Sequence, residues 1–226
     1  MMWDFDEWCY RKRKTVNDAL SQRFANRWPN NMGEACGYPI RTGGKRIRPL
    51  IVFAAADAVG DRSPACTLAA AQAIELVHTY SLVHDDLPCM DDDELRRGKA
   101  TTHMVYGEGA AVLVGDALLT EAFVAIAGLQ PQIIAEMLPI LSRNAGLDGM
   151  IGGQALDIGM EGPVIDENTL LLLHRCKTGA LIRAAAQLGG VAAGASPEQK
   201  DLLKRYGETI GLAFQLVDDL LDEEED

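Results

Sequence analysis

The sequence has too few positive charges for a protein that binds nucleic acid or an anionic membrane through its overall charge. Its 21 Lys and Arg are outnumbered by 33 Asp and Glu among 226 residues, so the formal net charge is −12. Polyanionic surfaces repel such a protein. The sequence also lacks an apolar run near the ~18 residues of a membrane span, and its N-terminus lacks the apolar core of a signal peptide. We therefore expect neither nucleic-acid binding nor a membrane span.

Three further absences narrow the class of protein. The five cysteines are scattered and show no C-x-x-C spacing, which argues against a disulfide framework or a zinc site. Such reduced thiols predict a cytoplasmic location, and we expect all five, Cys89 included, to fill small apolar spaces. Strand-like alternation of β-branched residues is rare, and there is neither an internal repeat nor the glycine fingerprint of a dinucleotide-binding fold.

What the sequence does have is helical periodicity over nearly its whole length. Its pattern predicts helices near 4–26, 46–59, 65–85, 109–127, 131–145, 167–174, 178–194 and 197–222. Ser63-Pro64 and Ser196-Pro197 are typical helix starts. The segments 65–83 and 109–127 are apolar on more than one face, as helices at the centre of a bundle are. We expect one all-α domain over residues 1–226.

The first unusual motif reads LVHDDLPCMDDDELRRGK, at residues 82–99. Pro88 should end or kink the preceding helix near 84–87, so carboxylates gather at a helix C-terminus, where the helix dipole disfavours negative charge. Folding does not require this arrangement. Mg²⁺ would resolve it, because this cation prefers carboxylate and phosphate oxygens. The alternative is a solvated acidic loop.

A second acidic motif, FQLVDDLLDEEED, ends the sequence. Gln215, Asp218 or Asp219, and Asp222 share one helical face by their three- and four-residue spacing. Two acidic helix ends that face each other would hold several Mg²⁺ ions and neutralise a departing diphosphate. The alternative is an acidic tail.

Cations accompany these carboxylates at several places. GGKRIRP places Lys45 and Arg48 three residues apart at a helix start, which favours phosphate binding. Arg96 and Arg97 follow the first acidic motif, and Lys177-Thr178 begins another helix. This combination in an acidic protein indicates anion binding through both metal and cationic side chains.

The sequence resembles the trans-prenyl diphosphate synthase family, and within it the bacterial-type farnesyl diphosphate synthases. The resemblance runs from Gly43 onward, in family order and spacing, through GGKRIRP, HTYSLVHDDLPCMDDDELRRG, GGQALD, HRCKTGALIRAA and GLAFQLVDDLLD. It implies an all-α bundle around a deep central cavity, a homodimer and Mg²⁺ as cofactor. It also implies that an allylic diphosphate loses its diphosphate, that the double bond of isopentenyl diphosphate attacks the resulting cation, and that a proton is then lost.

The same resemblance implies roles for individual residues. The Mg²⁺ ligands would be Asp85, Asp91 and Asp218, supported by Asp86, Asp92, Asp219 and Asp222. The diphosphate of isopentenyl diphosphate would be held by Lys45, Arg48, His78 and Arg97. The allylic diphosphate would be held by Arg96, Lys177 and Thr178, and the cavity would be lined further by Gln154, Asp157 and Gln215.

Product length is expected to depend on Tyr80. Ser81 and Tyr80 precede Asp85 by four and five residues, so they lie about one turn below the metal, at roughly 6–7.5 Å along the helix. A tyrosine ring would stop the growing chain at fifteen carbons. Bacterial-type farnesyl synthases resemble this sequence in having an aromatic residue there, and in Pro88 and Cys89 within the motif. The alternative is that Tyr80 only fills the core.

Members of this family continue for several helices beyond the second aspartate motif, including a lid over the active site. Because this sequence stops at Asp226, we expect C-terminal helices to be missing from it. The expected function is the synthesis of farnesyl diphosphate. The alternatives are a geranyl or geranylgeranyl diphosphate synthase and a non-catalytic partner subunit; retention of both acidic motifs speaks against the last.

Overall fold

A computed structural model describes residues 4–25, 27, 31–159 and 166–225, except for the side chains of 167, 216 and 218–225. Its helices are α1 (Phe5–Phe24), α2 (Met32–Arg41), α3 (Ile47–Val59), α4 (Pro64–Asp85), α5 (Thr102–Tyr106), α6 (Glu108–Ala127), α7 (Pro131–Ala145), α8 (Met150–Gly159), α9 (Glu167–His174), α10 (Ala180–Ala193) and α11 (Pro197–Glu225). A π-helical turn, Arg175–Gly179, joins α9 to α10. The predicted all-α class is confirmed.

The predicted helices are all present, and the structure adds elements that periodicity did not indicate. The additions are α2, α5, α8 and a hairpin of two short strands, β1 (Leu95–Arg96) and β2 (Lys99–Ala100). The predicted starts are confirmed at α4 and α11. At the latter, Ser196 Oγ accepts from the N–H of Gln199 at 3.3 Å, while the Gln199 side chain accepts from the N–H of Ser196 at 2.8 Å. This reciprocal pair fixes the helix start.

The chain divides into two compact units, and the first comprises Met1–Leu50 and Ala71–Gly128. Its core is formed by α1, α2, α6 and the part of α4 from Ala71 onward. Helix α6 is apolar almost all round, yet its buried residues fall at three- and four-residue spacing, namely Ala111, Val114, Gly115, Leu118, Ala122 and Ile126. One stripe of α6 therefore packs into the unit, and the apolar residues on its other side are exposed.

By length and composition alone, helix α6 would be able to cross a membrane. A core helix of a folded domain passes the same test. Glu121 on this helix accepts hydrogen bonds from Arg23 of α1 and from Arg27, which follows that helix, each at 2.9 Å, so α6 carries partly buried ion pairs in its middle. The expectation that the chain does not span a membrane stays a prediction.

The second unit comprises Ile51–Ala70 and Leu129–Asp226. Helix α10 lies at its centre, because nearly all of its alanine-rich surface is buried. Small residues allow this close packing: an added Cβ at Gly189 would meet the backbone of Val52, and one at Gly207 would lie 2.7 Å from Arg183 Cα. Arg183 in turn donates to the buried Asn144, with Nη2 at 2.6 Å from Oδ1. The expectation of one domain stays a prediction.

Candidate active site

In the first unit, the GGKRIRP segment forms a left-handed loop before α3. Gly43, Gly44 and Arg46 have φ values of 101°, 140° and 53°. Such angles suit glycine and strain other residues. The helix begins only at Ile47, one residue later than predicted, because Arg46 is not helical. Lys45 is exposed on this loop, and Arg48 is half-buried in the first turn of α3.

The hairpin brings Arg97 onto the same loop. Arg97 and Gly98 form the two-residue turn between β1 and β2, with φ values of 55° and 73°. The guanidinium of Arg97 donates to the carbonyl oxygen of Gly43. An added Cβ on Gly44 would lie 2.6 Å from Arg97 Nη1, so only glycine admits this contact. The structure thus joins two segments that the sequence separates by about fifty residues.

His78 on α4 lies within electrostatic range of several arginines. Burial lowers the pKa of His78 well below its ordinary range, and the pKa falls further because of nearby positive charges, in decreasing order those of Arg48, Arg97, Arg46 and Arg96. The imidazole is therefore neutral at pH 7. The charges of Arg48 and Arg97 near this neutral ring, with exposed Lys45 on the same loop, suit a multivalent anion. We call Lys45, Arg48, His78 and Arg97 the diphosphate cluster.

Asp86 and Arg96, both predicted to act in catalysis, bind each other. The Asp86 side chain is buried, 4% exposed, and its Oδ1 accepts from Arg96 Nε at 2.5 Å. Arg96 also donates from Nη2 to Asp93 at 3.0 Å. Burial raises the pKa of Asp86, and the hydrogen bond and charge of Arg96 oppose that rise. In this structure Asp86 anchors Arg96; the predicted contact of Arg96 with an allylic diphosphate stays a prediction.

The predicted Mg²⁺ ligands Asp85 and Asp91 are joined through a backbone hydrogen bond. Asp85 ends α4, as the position of Pro88 predicts, and its carbonyl oxygen accepts from the N–H of Asp91 at 2.8 Å. This bond folds the motif back on the helix end. Among the side chains that the structure describes, no three His, Cys, Asp or Glu form a metal cage. The donor set still fits Mg²⁺, which proteins usually hold through one or two carboxylates together with substrate phosphates. Asp92, beside this pair, is exposed with φ 54°.

Tyr80 is buried on α4, with 6% of its surface exposed. Its ring packs edge-on against His84, with ring centroids 5.8 Å apart at 82°. Burial raises the pKa of Tyr80 to about 12, and the charge of Asp85 adds to the rise. The hydroxyl is buried without a hydrogen-bond partner among the residues that the structure describes. The ring is thus rigidly held within the electrostatic range of the predicted metal ligand.

The second unit brings together Lys177 and Asp157. Lys177 lies in the π-helical turn, and its ammonium group donates to the Asp157 carboxylate on α8. Thr178 and Gln215 are half-buried on the π-helical turn and on α11. The amide nitrogen of Gln154 is buried and has no partner in the described part of the chain. Asp218, Asp219 and Asp222 lie on α11, but their side chains are outside the described residues.

Gly153 lets helix α8 approach Lys177 closely, since an added Cβ there would lie 2.7 Å from Lys177 Cα. We expect Gly153→Ala to lower the free energy of unfolding by about 1–3 kcal/mol, as overpacking does. The matched control is Gly159→Ala on the same helix, where an added Cβ meets no described atom within 4 Å. Urea unfolding of both variants measures the effect, and equal stabilities would contradict it.

The comparison with known proteins agrees with this geometry. The family model described as "Polyprenyl synthetase" matches residues 29–226. The chain belongs to the polyprenyl synthetase family. One relative is a protein of Arabidopsis thaliana named heterodimeric geranylgeranyl pyrophosphate synthase large subunit 1, chloroplastic. It is 41% identical to this chain, and the match covers 97% of this chain and 62% of that protein. The chain therefore spans less than two thirds of that relative's length.

Solved structures of similar proteins share the fold over nearly the whole chain. An FPP/GFPP synthase from Zymomonas mobilis is 37% identical with a TM-score of 0.88, over 98% of this chain and 83% of that one. A geranyltransferase from Legionella pneumophila is 34% identical with a TM-score of 0.90, over 96% of this chain and 79% of that one. These matches confirm an isoprenoid synthase type of fold for this chain.

Sequence reasoning missed two residues of the site and misjudged one. Arg46 lies between two predicted ligands, but it is buried and pairs with Glu75, which no motif singled out. An acidic residue three positions before His78, on an otherwise apolar helix, was the available signal. Cys89 was expected to fill apolar space, and this is wrong because the residue is exposed.

Proposed function

We propose that the protein is a Mg²⁺-dependent prenyltransferase, which condenses isopentenyl diphosphate with an allylic diphosphate. The observation that carries the proposal is the diphosphate cluster. It joins cations from the GGKRIRP segment and the hairpin with neutral His78 of α4, in a chain of net charge −12. Cations gathered in one place repel one another, although Glu75 and Asp86 each pair with one of the arginines near His78. A bound diphosphate would add negative charge at this place.

Each group of residues has a task in this reaction. Lys45, Arg48 and Arg97 would hold the diphosphate of isopentenyl diphosphate, and neutral His78 would donate one hydrogen bond to it. Asp85 and Asp91, with Asp218, would hold Mg²⁺. The metal would supply charge neutralisation at the departing diphosphate.

The reaction needs an apolar pocket for the allylic cation and charged groups at the entrance of that pocket for the two diphosphates. The carbon–oxygen bond of the allylic diphosphate breaks, the double bond of isopentenyl diphosphate forms the new carbon–carbon bond, and a proton leaves as the new double bond forms. Buried residues of α4, Tyr80 among them, would exclude water from the cation. Arg96 would bind the allylic diphosphate, and the resemblance assigns Lys177 and Thr178 to the same ligand.

Two product lengths have support. The buried ring of Tyr80, five residues before Asp85, favours a fifteen-carbon product, because a ring held against His84 would block a longer chain. The name of the Arabidopsis relative, geranylgeranyl pyrophosphate synthase, favours a twenty-carbon product at least as well. We propose farnesyl diphosphate on the physical argument. A homodimer, a cytoplasmic location and the absence of nucleic-acid partners belong to the same proposal.

Removing Lys45 or Arg48 should weaken the binding of isopentenyl diphosphate selectively. We expect a loss of about 1.5–3 kcal/mol for either change to alanine, as for a charged hydrogen bond, with dimethylallyl diphosphate binding nearly unchanged. Isothermal titration with each diphosphate in the presence of Mg²⁺ measures this. Lys204→Ala, at an exposed lysine of α11, is the control. Equal losses for both diphosphates would show that the two sites are assigned wrongly.

A further inference from the structure

The side chain of Arg46 is buried, whereas Lys45 beside it is exposed and Arg48, in the first turn of α3, is half-buried. Arg46 is 5% exposed, and its guanidinium makes four hydrogen bonds. Nε donates to Asn17 Oδ1 at 2.8 Å, Nη1 to Glu75 Oε1 at 2.7 Å and to the Gly43 carbonyl at 3.2 Å, and Nη2 to the Ile40 carbonyl at 2.5 Å. One side chain thus connects α1, α2, α4 and the loop.

These contacts hold a backbone shape that would otherwise be unfavourable. Arg46 has a φ of 53°, a left-handed conformation that L-residues other than glycine, asparagine and aspartate rarely adopt. The Gly43 carbonyl accepts from Arg46 on one side and from Arg97 on the other. The loop is therefore fixed from within by Arg46 and from the hairpin by Arg97.

Glu75 supplies the negative charge that this arrangement needs. Its side chain is 4% exposed, and that of Arg46 is 3% exposed. Removing one partner of a buried ion pair leaves the other charge uncompensated. Four arginines lie within electrostatic range of His78, and Glu75 pairs with the buried one, Arg46. Without Glu75, the uncompensated charge of Arg46 would add to the repulsion between these cations. Glu75 thus allows the cations to be assembled before an anion arrives, which lowers the cost of binding.

We propose that Arg46 and Glu75 are a positioning pair, which fixes the GGKRIRP loop so that Lys45 and Arg48 meet the diphosphate of isopentenyl diphosphate. Arg46 acts through its two neighbours and does not itself contact the ligand, because its guanidinium is buried and committed to four protein acceptors. The inference rests on the proposed function for its ligand, and it goes beyond that proposal by assigning the cause of the loop's shape.

The test compares Arg46→Gln and Glu75→Gln with a matched variant, Arg23→Gln. Arg23 likewise forms an ion pair in the first unit, with the partly buried Glu121, and likewise donates to a side-chain amide, that of Gln72. Isothermal titration of the whole protein gives the Kd of isopentenyl diphosphate and of dimethylallyl diphosphate. We expect Arg46→Gln and Glu75→Gln to raise the first Kd at least tenfold and the second less than twofold. Arg23→Gln should change neither, although it lowers the melting temperature. Arg46→Lys keeps the positive charge opposite Glu75 but loses the several N–H donors of the guanidinium. It should recover part of the affinity for isopentenyl diphosphate that Arg46→Gln loses.

A second experiment tests the positioning pair without any ligand. Hydrogen exchange of the amides of residues 43–48 should be at least tenfold faster in Arg46→Gln than in the unchanged protein, and unaltered in Arg23→Gln. Unchanged exchange, or an unchanged Kd of isopentenyl diphosphate in folded Arg46→Gln, would overturn the positioning pair. If Arg46→Gln does not fold, the isosteric Glu75→Gln decides by the same two criteria. An unchanged protein that binds neither diphosphate would overturn the proposed function instead, while the exchange result would still decide the role of the pair.

Discussion

Replacing Asp85 with alanine should slow condensation about 10²–10³-fold, the loss expected when a group that stabilises transition-state charge is removed. Asp85 ends α4, and its carbonyl oxygen accepts from the N–H of Asp91 at 2.8 Å, which folds the acidic motif back on the helix end. Without Asp85 the departing diphosphate would lose part of its charge neutralisation, at a cost of about 3–4 kcal/mol in the transition state. Turnover at saturating substrates and Mg²⁺ measures this loss.

The control for this prediction is Asp201→Ala. That carboxylate is exposed on α11 and pairs with Arg205 at 3.5 Å, a surface pair whose loss costs little. Its turnover should equal that of the unchanged protein, and excess EDTA should abolish the activity of both. Full turnover of Asp85→Ala, or of the unchanged protein in EDTA, would contradict a metal held by Asp85.

Replacing Tyr80 with alanine should change the main product from fifteen carbons to twenty or more. The ring is buried and rests edge-on against His84, and its five-residue spacing puts it about one turn below Asp85. Its removal deepens the cavity by the volume of an aromatic side chain and leaves the metal ligands in place. Total condensation should therefore persist while the product lengthens. Chromatography of the dephosphorylated products measures the shift.

Two further variants test whether the aromatic ring of Tyr80 itself determines the length of the product. Tyr80→Phe keeps the ring and removes only a hydroxyl without a described partner, so its product should not change. Ser81→Ala removes a hydroxyl that bonds the His78 carbonyl at 2.9 Å, and it should not lengthen the product either. An active Tyr80→Ala that still makes fifteen carbons would show that Tyr80 is not the floor of the cavity.

The sequence predicts the long helices well because each combines apolar periodicity with a clear start or stop. Pro88 ends α4 near the predicted place, and Ser196 caps α11 as expected. Helices α2 and α8 escape the same reasoning. Each contains two or more glycines, and α2 also contains Pro39, residues that disfavour helix on intrinsic grounds. Tertiary packing overrides this preference, since Gly33 and Gly153 permit backbone approaches that larger residues would block.

In the candidate site too, the sequence predicts one part and misses another: it indicates the charged residues but does not show which of them hold the others in place. The motifs indicate which residues bear charge, and the structure brings Arg97 onto the GGKRIRP loop as the resemblance implies. Which cations face a ligand and which face the protein depends on the fold. Arg46 and Asp86 carry the same charges as their neighbours in sequence, but the structure buries both in ion pairs. No spacing rule distinguishes them, because the difference arises from contacts with α1, α2 and the hairpin.

The most direct test of the whole account is incubation of the protein with isopentenyl and dimethylallyl diphosphates and Mg²⁺, followed by chromatography of the products. We expect a fifteen-carbon allylic diphosphate as the main product, with release of diphosphate at each condensation and no product in EDTA. Recovery of both substrates unchanged, from protein that is folded and supplied with Mg²⁺, would contradict it.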